Sequence, residues 1–509
     1  MSGPQPIDVL VVGAGPSGSA LAIDLVRRGL VVRIVDRSPH AFDGSRAKGV
    51  QPRSLEVLED LGALKDVLAG GSVYPRLGIH AGPLAVPWRM FPHKEATSDV
   101  PYPNTWLIPQ FRTDRALHAR LAELGRDVEF GKELTGLTQD EHTVVAKVVG
   151  ADGAEEIVAS FVVGADGGSS AVRKQLGIGF VGTTHESDRM LIVDASVTGL
   201  ARNRWHMWPG LGGKFVGACP LPDSDMFQWM IRLAPDEEPP SEKDHILRRI
   251  HDHTRDRRIQ LHDIHWTSVF RPNIRLAESY GRGRVFLAGD AAHVHTPAGA
   301  QGLNTGMQDG YNLGWKLGQV LAGADPALLT TYEAERQPIA AGVLGLSTEK
   351  WGGLAKLDPS SMKRGKDEQQ LALTYYGGPL APADGTRTET LRVGDRAPDA
   401  ELRGPDGAGV RLHEVLHGPH FTALAYGPRA ARDLERIDWP TTGAQLKRLA
   451  VGPAAVDGSA FSDADDTLRR SYGLTGDTLL LIRPDGYIGH IATSDFLATT
   501  QSAARAMTP

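Results

Sequence analysis

The first 36 residues combine an apolar run, a glycine-rich turn and an acidic residue at a spacing that strongly constrains the fold. Residues 7–12 (IDVLVV) are short, continuous and rich in β-branched side chains, which predicts a buried strand. The turn GAGPSG follows at residues 13–18, and a helical pattern over 16–28 ends at Gly29, a residue suited to cap a helix. A second strand then ends at Asp36. The pattern predicts a βαβ unit with G-x-G-x-x-G at its first turn.

Each glycine of this turn suits a dinucleotide for its own physical reason. Gly13 permits the tight turn, Gly15 lets the backbone approach a pyrophosphate, and Gly18 lets the helix pack against the strand. The helix N-terminus presents free N–H groups and its positive dipole end to the phosphates. An acid at position 36 would bind the adenosine ribose, which suits FAD or NAD better than NADP. The cofactor contacts predicted in this unit are Gly13, Gly15, Pro16, Ser17, Gly18, Asp36 and Arg37. Because 59 of the 509 residues are glycine, the flanking strand, helix and acid carry the prediction rather than the spacing alone.

Length, charge and cysteine content narrow the class of protein. A chain of 509 residues is too long for one ordinary core and predicts two or three domains. A net charge of -6 disfavours a nucleic acid or an anionic membrane as partner. Cys219 is the only cysteine, which excludes an internal disulfide and favours a reducing, cytoplasmic compartment. We expect neither a signal peptide nor a transmembrane helix.

Two further segments repeat the arrangement of a strand that ends in glycine and an acid. Residues 161–173 (FVVGADGGSSAVR) lead from a β-rich run into Asp166 and Gly167, with a helix starting near residue 169. Residues 284–321 place Gly289 and Asp290 after a strand, then a Gly/Pro loop, then a long helix from about residue 303. Two shorter segments, residues 44–47 (GSRA) and 109–113 (PQFRT), complete the set.

Together, in this order, these segments resemble the fingerprint of the class A flavoprotein monooxygenases, typified by para-hydroxybenzoate hydroxylase, over residues 7–345. The resemblance is nearest to the aromatic polyketide and phenol hydroxylase branch. It implies an α/β fold, with a Rossmann-like FAD-binding domain, an inserted mainly-β substrate domain and a C-terminal thioredoxin-like α/β domain. The implied divisions are an FAD-binding domain over 1–75, 105–176 and 273–345, a substrate domain over 76–104 and 177–272, a helical linker over 346–389, and a thioredoxin-like domain without CxxC over 390–509.

The resemblance also implies roles for residues in the later segments. Asp290 would accept hydrogen bonds from the FAD ribityl chain, and the loop that follows would lie against the isoalloxazine ring, where glycines avoid clashes. The helix after the loop would aim its N–H groups at the flavin pyrimidine edge. Arg46, near the ring by analogy, is the best candidate for a catalytic side chain. The further cofactor contacts implied are Arg46, Gln110, Asp166, Gly167, Asp290, Pro297, Gly299, Gly302, Leu303 and Asn304.

By resemblance, NAD(P)H reduces FAD, O2 adds at flavin C4a, and the hydroperoxide transfers one oxygen to an aromatic, polycyclic phenolic or polyketide-type ring. Analogy favours NADPH over NADH. The sequence has no second G-x-G-x-x-G motif that would bind the nicotinamide cofactor. Residues 226–232 (MFQWMIR) alternate like a strand, but the alternation does not decide which face meets the substrate. Core packing and substrate contact both remain open for the candidate substrate residues, which are Trp205, Met207, Phe215, Phe227 and Trp229.

Several alternatives stay open beside the hydroxylase. A Baeyer–Villiger oxygenase or a flavin-dependent reductase or dehydrogenase would use the same scaffold. A flavin-dependent halogenase needs W-x-W-x-I-P, which residues 205–209 (WHMWP) do not match. A non-enzymatic FAD-binding interaction protein is disfavoured. His293 and His295 favour loop packing near the cofactor over a metal site. In the last domain, residues 421–425 and 478–483 predict strands, and residues 483–487 (RPDGY) predict a turn between two strands. We expect this domain to have a structural or subunit-contact role, and a homodimer stays open.

Overall fold

A computed structural model describes residues 6–82, 84–90, 92–186, 188–296, 301–355, 366–452 and 461–509. The elements up to residue 164 are β1 (Ile7–Val12), α1 (Pro16–Arg27), β2 (Val32–Asp36), β3 (Gly49–Val50), α2 (Pro52–Leu61), α3 (Leu64–Ala69), β4 (Ser72–Val73), β5 (Arg76–Ala81), β6 (Leu84–Trp88), β7 (Trp106–Leu107), α4 (Gln110–Glu123), β8 (Val128–Phe130), β9 (Glu133–Gln139), β10 (Val144–Gly150) and β11 (Gly153–Gly164). The elements up to residue 294 are α5 (Ala171–Gln175), β12 (Phe180–Thr184), β13 (Met190–Thr198), β14 (Arg204–Pro209), β15 (Phe215–Pro220), β16 (Met226–Arg232), α6 (Lys243–Thr254), β17 (Gln260–Phe270), β18 (Asn273–Ala277), β19 (Gly281–Arg282), β20 (Val285–Leu287) and β21 (His293–Val294). The remaining elements are α7 (Gly302–Leu321), α8 (Thr330–Ala355), α9 (Lys366–Gln369), β22 (Glu401–Arg403), β23 (Gly409–Arg411), α10 (Leu412–Leu416), β24 (Phe421–Tyr426), α11 (Pro428–Leu434), β25 (Leu446–Gly452), β26 (Phe461–Ser462), α12 (Thr467–Tyr472), β27 (Thr478–Ile482), β28 (Ile488–Ala492) and α13 (Phe496–Ala504).

The first sheet has the order β19-β20-β11-β1-β2-β8, with β10 and β9 continuing from β11. The strands β20, β11, β1, β2 and β8 run parallel, so their carboxyl ends share one edge. The strand predicted over residues 7–12 is confirmed as β1, and the predicted helix is α1, which packs closely against α7. The apolar side chains of these elements form one large core, as expected of a parallel sheet between helices.

The second sheet is mainly antiparallel, with the order β17-β13-β16-β15-β14-β5-β6. Its strands come from two separate stretches of chain, and one face packs on α6 to form its own core. Because successive side chains of a strand point to opposite faces, the other face carries a second, distinct set of residues. That second face lies against the first sheet's unit.

The third sheet, formed after residue 400, has the order β23-β22-β26-β25-β24-β27-β28 and apolar clusters on both faces. The strand predicted over residues 421–425 is confirmed as β24, and the strand predicted over 478–483 as β27. The predicted turn between β27 and its partner is present at residues 483–487, with Gly486 at a φ of 75°.

Buried ion pairs fasten the third sheet's unit to the first. Arg483 Nη1 lies 2.6 Å from Glu335 Oε1 on α8, and Lys316 Nζ on α7 lies 2.7 Å from the same carboxylate, with all three side chains fully buried. Burial alone would raise the pKa of Glu335, but Arg483 and Lys316 lower it to about 2. A second buried pair joins Arg396 to Glu56. The two units therefore share a charged, buried contact.

Helix α8 continues to Ala355, inside the segment 346–389 that is predicted to be a helical linker. Once a helix has formed, each further residue adds a hydrogen bond at little entropic cost, so Gly352 and Gly353 do not end it. Within the described chain, no helix has both the length and the apolar character needed to span a bilayer.

Candidate functional site

The three strand-end motifs meet at the shared carboxyl edge of the first sheet. Gly13, which follows β1, has a φ of 105°, and a Cβ there would lie 2.3 Å from the carbonyl oxygen of Ala165, which follows β11. A Cβ on Gly289, which follows β20, or on Gly306 of α7 would lie 2.3 Å from Ser17 Oγ. Such approaches are possible only without a side chain. The first motif therefore touches both of the others directly.

The N-terminus of α1 is open at this edge. Its N-cap is Gly15, which provides no side-chain hydrogen bond to the free N–H groups. A Cβ on Gly15 would meet nothing within 4 Å, whereas a Cβ on Gly18 would lie 2.0 Å from the Gly13 carbonyl oxygen. Gly15 thus faces open space while Gly18 packs inward, with Pro16 and Ser17 between them in the first turn. An uncapped helix N-terminus of this kind can bind a pyrophosphate.

Asp36 stands at the end of β2, beside the open helix end. Its Oδ2 accepts a hydrogen bond of 2.8 Å from Ala14 N, and its Oδ1 accepts one of 2.8 Å from Ser38 N. Each carboxylate oxygen can accept a further bond, so the carboxylate can still bind ribose hydroxyls. The next residue, Arg37, is exposed.

Asp166 of the second motif keeps one oxygen without a partner. Its Oδ2 accepts bonds from Ala171 N at 2.6 Å and Val172 N at 3.2 Å, which cap α5. Its Oδ1 is buried and has no hydrogen-bond partner among the described residues. Gly167, at a φ of 80°, turns the chain here. A buried carboxylate oxygen without a donor fits a hydroxyl-bearing ligand.

Arg173 ties the second motif to the third. Its Nη1 donates to Ala291 O at 2.8 Å and its Nη2 to Gly168 O at 2.9 Å, while its guanidinium lies 3.8 Å from the centre of the Phe180 ring. The buried guanidinium of Arg173 therefore holds the second and third motifs in a fixed relative position.

The carboxylate of Asp290, in the third motif, is accessible to solvent, although neighbouring protein surrounds the residue. Desolvation by the surrounding protein raises its pKa, and electrostatic interactions with His293 and Arg46 oppose that rise. His293 is itself fixed, since its Nε2 lies 2.6 Å from Asp309 Oδ2, and Arg336 Nε donates to Asp309 Oδ1 at 2.7 Å. The structure thus brings Arg46 and Asp290, predicted from separate segments, to the same place. Among the residues described, no three potential metal ligands come together.

The N-terminus of α7 lies next to Asp290, since a Cβ on Gly302 would be 3.9 Å from Asp290 Oδ1. Its N-cap residue makes no side-chain capping bond, so the first N–H groups, including that of Leu303, are available. The side chain of Asn304 is not available, because its Oδ1 accepts from Gln51 N and its Nδ2 donates to Gly49 O, both at 2.8 Å. The predicted contacts at Pro297 and Gly299 lie outside the described residues.

Gln110 begins α4 and connects it to the segment that carries Arg46. Its Oε1 accepts a bond of 3.5 Å from Ala47 N, and its Nε2 donates to Asp114 Oδ2 at 3.3 Å. Asp114 is buried, and desolvation raises its pKa to about 8. Sequence analysis did not identify Asp114, because an acid at this helical position has no local pattern to mark it.

The second face of the second sheet faces this edge. Asp194 on β13 accepts bonds of 2.6 Å from both the N and the Oγ of Ser45. Gln228 on β16 is opposite Asp194, donates to Ser45 Oγ, and accepts a hydrogen bond from Lys48 Nζ. These four residues, none of them predicted, join the sheet to the segment of residues 44–48.

The placement of Gln228 corrects two of the five predicted substrate residues. Phe227 and Trp229 flank it on β16 and therefore point to the opposite face, where both are fully buried in the core with α6. They have no surface left for a substrate. Trp205, Met207 and Phe215 are half-buried and share the face of Gln228. These three remain candidates.

Comparison with known proteins agrees with this geometry. Residues 6–347 match the FAD binding domain family. The chain is 40% identical over 494 residues to a flavin-dependent monooxygenase of Mycobacteroides abscessus, covering 96% of this chain and 97% of the relative. It is 34% identical to the 12-dehydrotetracycline 5-monooxygenase/anhydrotetracycline 6-monooxygenase of Streptomyces rimosus, covering 94% of each chain. Its fold is similar to the crystal structure of the flavin-dependent monooxygenase PieE in complex with FAD and substrate, with a TM-score of 0.85, 23% identity and 99% of each chain covered. The chain therefore belongs to the FAD-dependent aromatic monooxygenases of the FAD binding domain family.

Proposed function

We propose that this monooxygenase hydroxylates a polycyclic phenolic substrate, with NADPH as reductant and O2 as the source of the inserted oxygen. The observation that carries the proposal is the meeting of the three strand-end motifs opposite a sheet face that bears Trp205, Met207 and Gln228. A relative named for the oxidation of tetracyclic compounds supports the choice of substrate class.

The residues that would hold FAD follow the edge of the first sheet. The uncapped N-terminus of α1 would bind the pyrophosphate, and Asp36 the adenosine ribose. The Oδ1 of Asp166, which has no partner among the described residues, and the accessible carboxylate of Asp290 would accept hydrogen bonds from hydroxyl groups of the cofactor. The first N–H groups of α7, at residues 302–304, would face the pyrimidine edge.

When bound, FAD supplies the oxygen-activating chemistry, and the chain's own residues position the substrate and exclude water. Arg46, whose charge acts on Asp290, would keep a positive charge near the reacting atoms. The second sheet would cover the substrate, because its second face is hydrogen-bonded to the cofactor-binding unit through Ser45. A ring held in this way meets the activated oxygen in a fixed orientation.

We further propose that the third sheet's unit, residues 390–509, is a thioredoxin-like domain with a structural role. It contains no cysteine, so it cannot carry out thiol chemistry. The buried contacts of Arg483 and Arg396 with the first unit support a permanent structural attachment.

The test measures substrate-stimulated NADPH oxidation with a panel of polycyclic phenols, followed by product mass after reaction under 18O2. Incorporation of one labelled oxygen as a ring hydroxyl is expected. A labelled lactone would indicate Baeyer–Villiger insertion instead. Two outcomes without incorporation of label would overturn the proposal: NADPH oxidation coupled to reduction of the organic substrate, or dehydrogenation of the substrate that reduces the flavin and consumes no NADPH. Parallel assays with NADH test the choice of reductant.

A further inference from the structure

Lys48 lies between the first and second sheets. Its ammonium group contacts the second face of the second sheet, which is the face that bears Gln228. Nζ donates a hydrogen bond to Gln228 Oε1 and lies 4.9 Å from the centre of the Trp205 ring. Gln228 has Cys219 and Asp194 as its cross-strand neighbours on β15 and β13, and Trp205 stands at the same level on β14. Lys48 therefore contacts two members of one row of this face, Gln228 and Trp205.

The positive charge of Lys48 is not matched by a nearby anion. Among the described residues, no carboxylate oxygen lies within 4.0 Å of Nζ. Asp194 already accepts two bonds from Ser45, and burial raises its pKa. Burial also raises the pKa of the Cys219 thiol to about 11, so the thiol is neutral near pH 7.

Desolvation lowers the pKa of Lys48, and the electrostatic effects of Cys219 and Asp194 oppose this fall only in part. One of its three N–H groups bonds to Gln228, and the others have no partner among the described residues. A half-buried cation with unused donors binds an anionic oxygen strongly, since hydrogen bonds between charged groups are the stronger ones.

The next row of the same face is apolar. Met207, Gly217 and Met230 are cross-strand neighbours on β14, β15 and β16, with Ile192 beyond them on β13. Gly217 keeps this row flat, because a Cβ there would lie 3.0 Å from Met230 Cε. A planar ring system could lie on this row with one edge at the ammonium group.

We propose that Lys48 is a specificity-determining residue that binds an ionised phenol or enol oxygen of a polycyclic substrate lying across Met207, Gly217 and Met230. The inference rests on the proposed function and adds a chemical requirement, namely that the substrate carries an acidic oxygen on its fused rings. Gln228 and Trp205 position the ammonium group for this contact.

The test uses the FAD-loaded enzyme and two probes with the same fused ring system, 2-hydroxyanthraquinone and its methyl ether, 2-methoxyanthraquinone. Only the first can ionise, and its absorbance reports the ionisation. The wild type should bind the hydroxy compound as the anion and about tenfold or more tighter than the ether. Lys48→Met should lose about tenfold in affinity for the hydroxy compound and about twofold or less for the ether. Lys48→Arg should keep most of the preference.

The matched control is Lys214→Met, which removes an exposed lysine from the same sheet unit and should leave both affinities unchanged. Equal losses for both probes in Lys48→Met would mean that Lys48 only holds the two sheets together, and the proposal would be wrong. A wild type that binds both probes equally, or neither, would overturn it as well. Product labelling under 18O2 stays independent, since a Lys48→Met variant that hydroxylates a polycyclic phenol with unchanged kcat/KM would refute the role of Lys48 and leave the proposed function intact.

Discussion

The contact between Gly306 and Ser17 permits a direct test of how the first and third motifs meet. In Gly306→Ala the new methyl carbon would lie 2.3 Å from Ser17 Oγ, far inside contact distance. Overpacking of this kind costs about 1–3 kcal/mol. The gain in helix propensity from glycine to alanine offsets up to about 1 kcal/mol, so a net loss of about 1–2 kcal/mol is expected.

Replacing Ser17 by alanine removes the clashing atom. The nearest atoms to the new methyl are then Gly289 Cα at 3.0 Å and Ser17 Cβ at 3.5 Å. The double variant Ser17→Ala/Gly306→Ala should therefore recover about 1 kcal/mol or more relative to the sum of the single variants. Urea midpoints followed by flavin fluorescence would give the coupling.

Gly342→Ala serves as the control, because Gly342 lies in α8 and a Cβ there would meet nothing within 4 Å. It should be neutral or slightly stabilising. If Gly306→Ala were as harmless as this control, or if Ser17→Ala gave no recovery, the described contact between the two motifs would be wrong.

Three further predictions concern the core and the buried charges. Glu335→Gln removes the buried anion that Lys316 and Arg483 share, and Arg483 keeps only its pair with Asp485. This loss should cost about 3–5 kcal/mol, measured by urea denaturation, whereas the exposed Glu156→Gln should cost less than about 1 kcal/mol. Trp229→Ala should cost about 3–5 kcal/mol without altering substrate preference, and a change in preference at unchanged stability would contradict its core position. Because the pKa of Asp114 is raised to about 8, this carboxyl holds its proton in the folded chain but loses it in the unfolded chain from about pH 4 to 8, so its contribution to stability falls as pH rises through that window. Asp114→Asn should remove this part of the pH dependence of the thermal midpoint, and an unchanged pH profile would refute the assignment.

Local features of the fold could be predicted from the sequence because their physical causes are local. The apolar run 7–12 and the glycines that follow specify β1, the turn and α1 within a few neighbouring residues. The turn at 483–487 is specified in the same way, by proline, aspartate and glycine in succession. The strand ends of the three motifs also coincide with the described edge, since parallel strands end together.

The sheet face that we propose for the substrate could not be predicted, because its contacts are non-local. Alternation along β16 separates Phe227 and Trp229 from Gln228 but does not show which side faces the core. That choice depends on α6 and on Ser45, which is 183 residues away from Gln228 in the chain. Lys48 likewise meets its partner across 180 residues, so no short motif marks it.

The central claim, that three separated segments form one FAD site, is tested most directly by the FAD content and FAD affinity of the native protein. Gently isolated protein should be yellow and contain one FAD per chain. After the flavin is removed, titration should restore it, and Asp290→Ala should weaken binding by about tenfold to a hundredfold. Native protein that is colourless and does not bind added FAD, or an Asp290→Ala variant with unchanged affinity, would contradict the account.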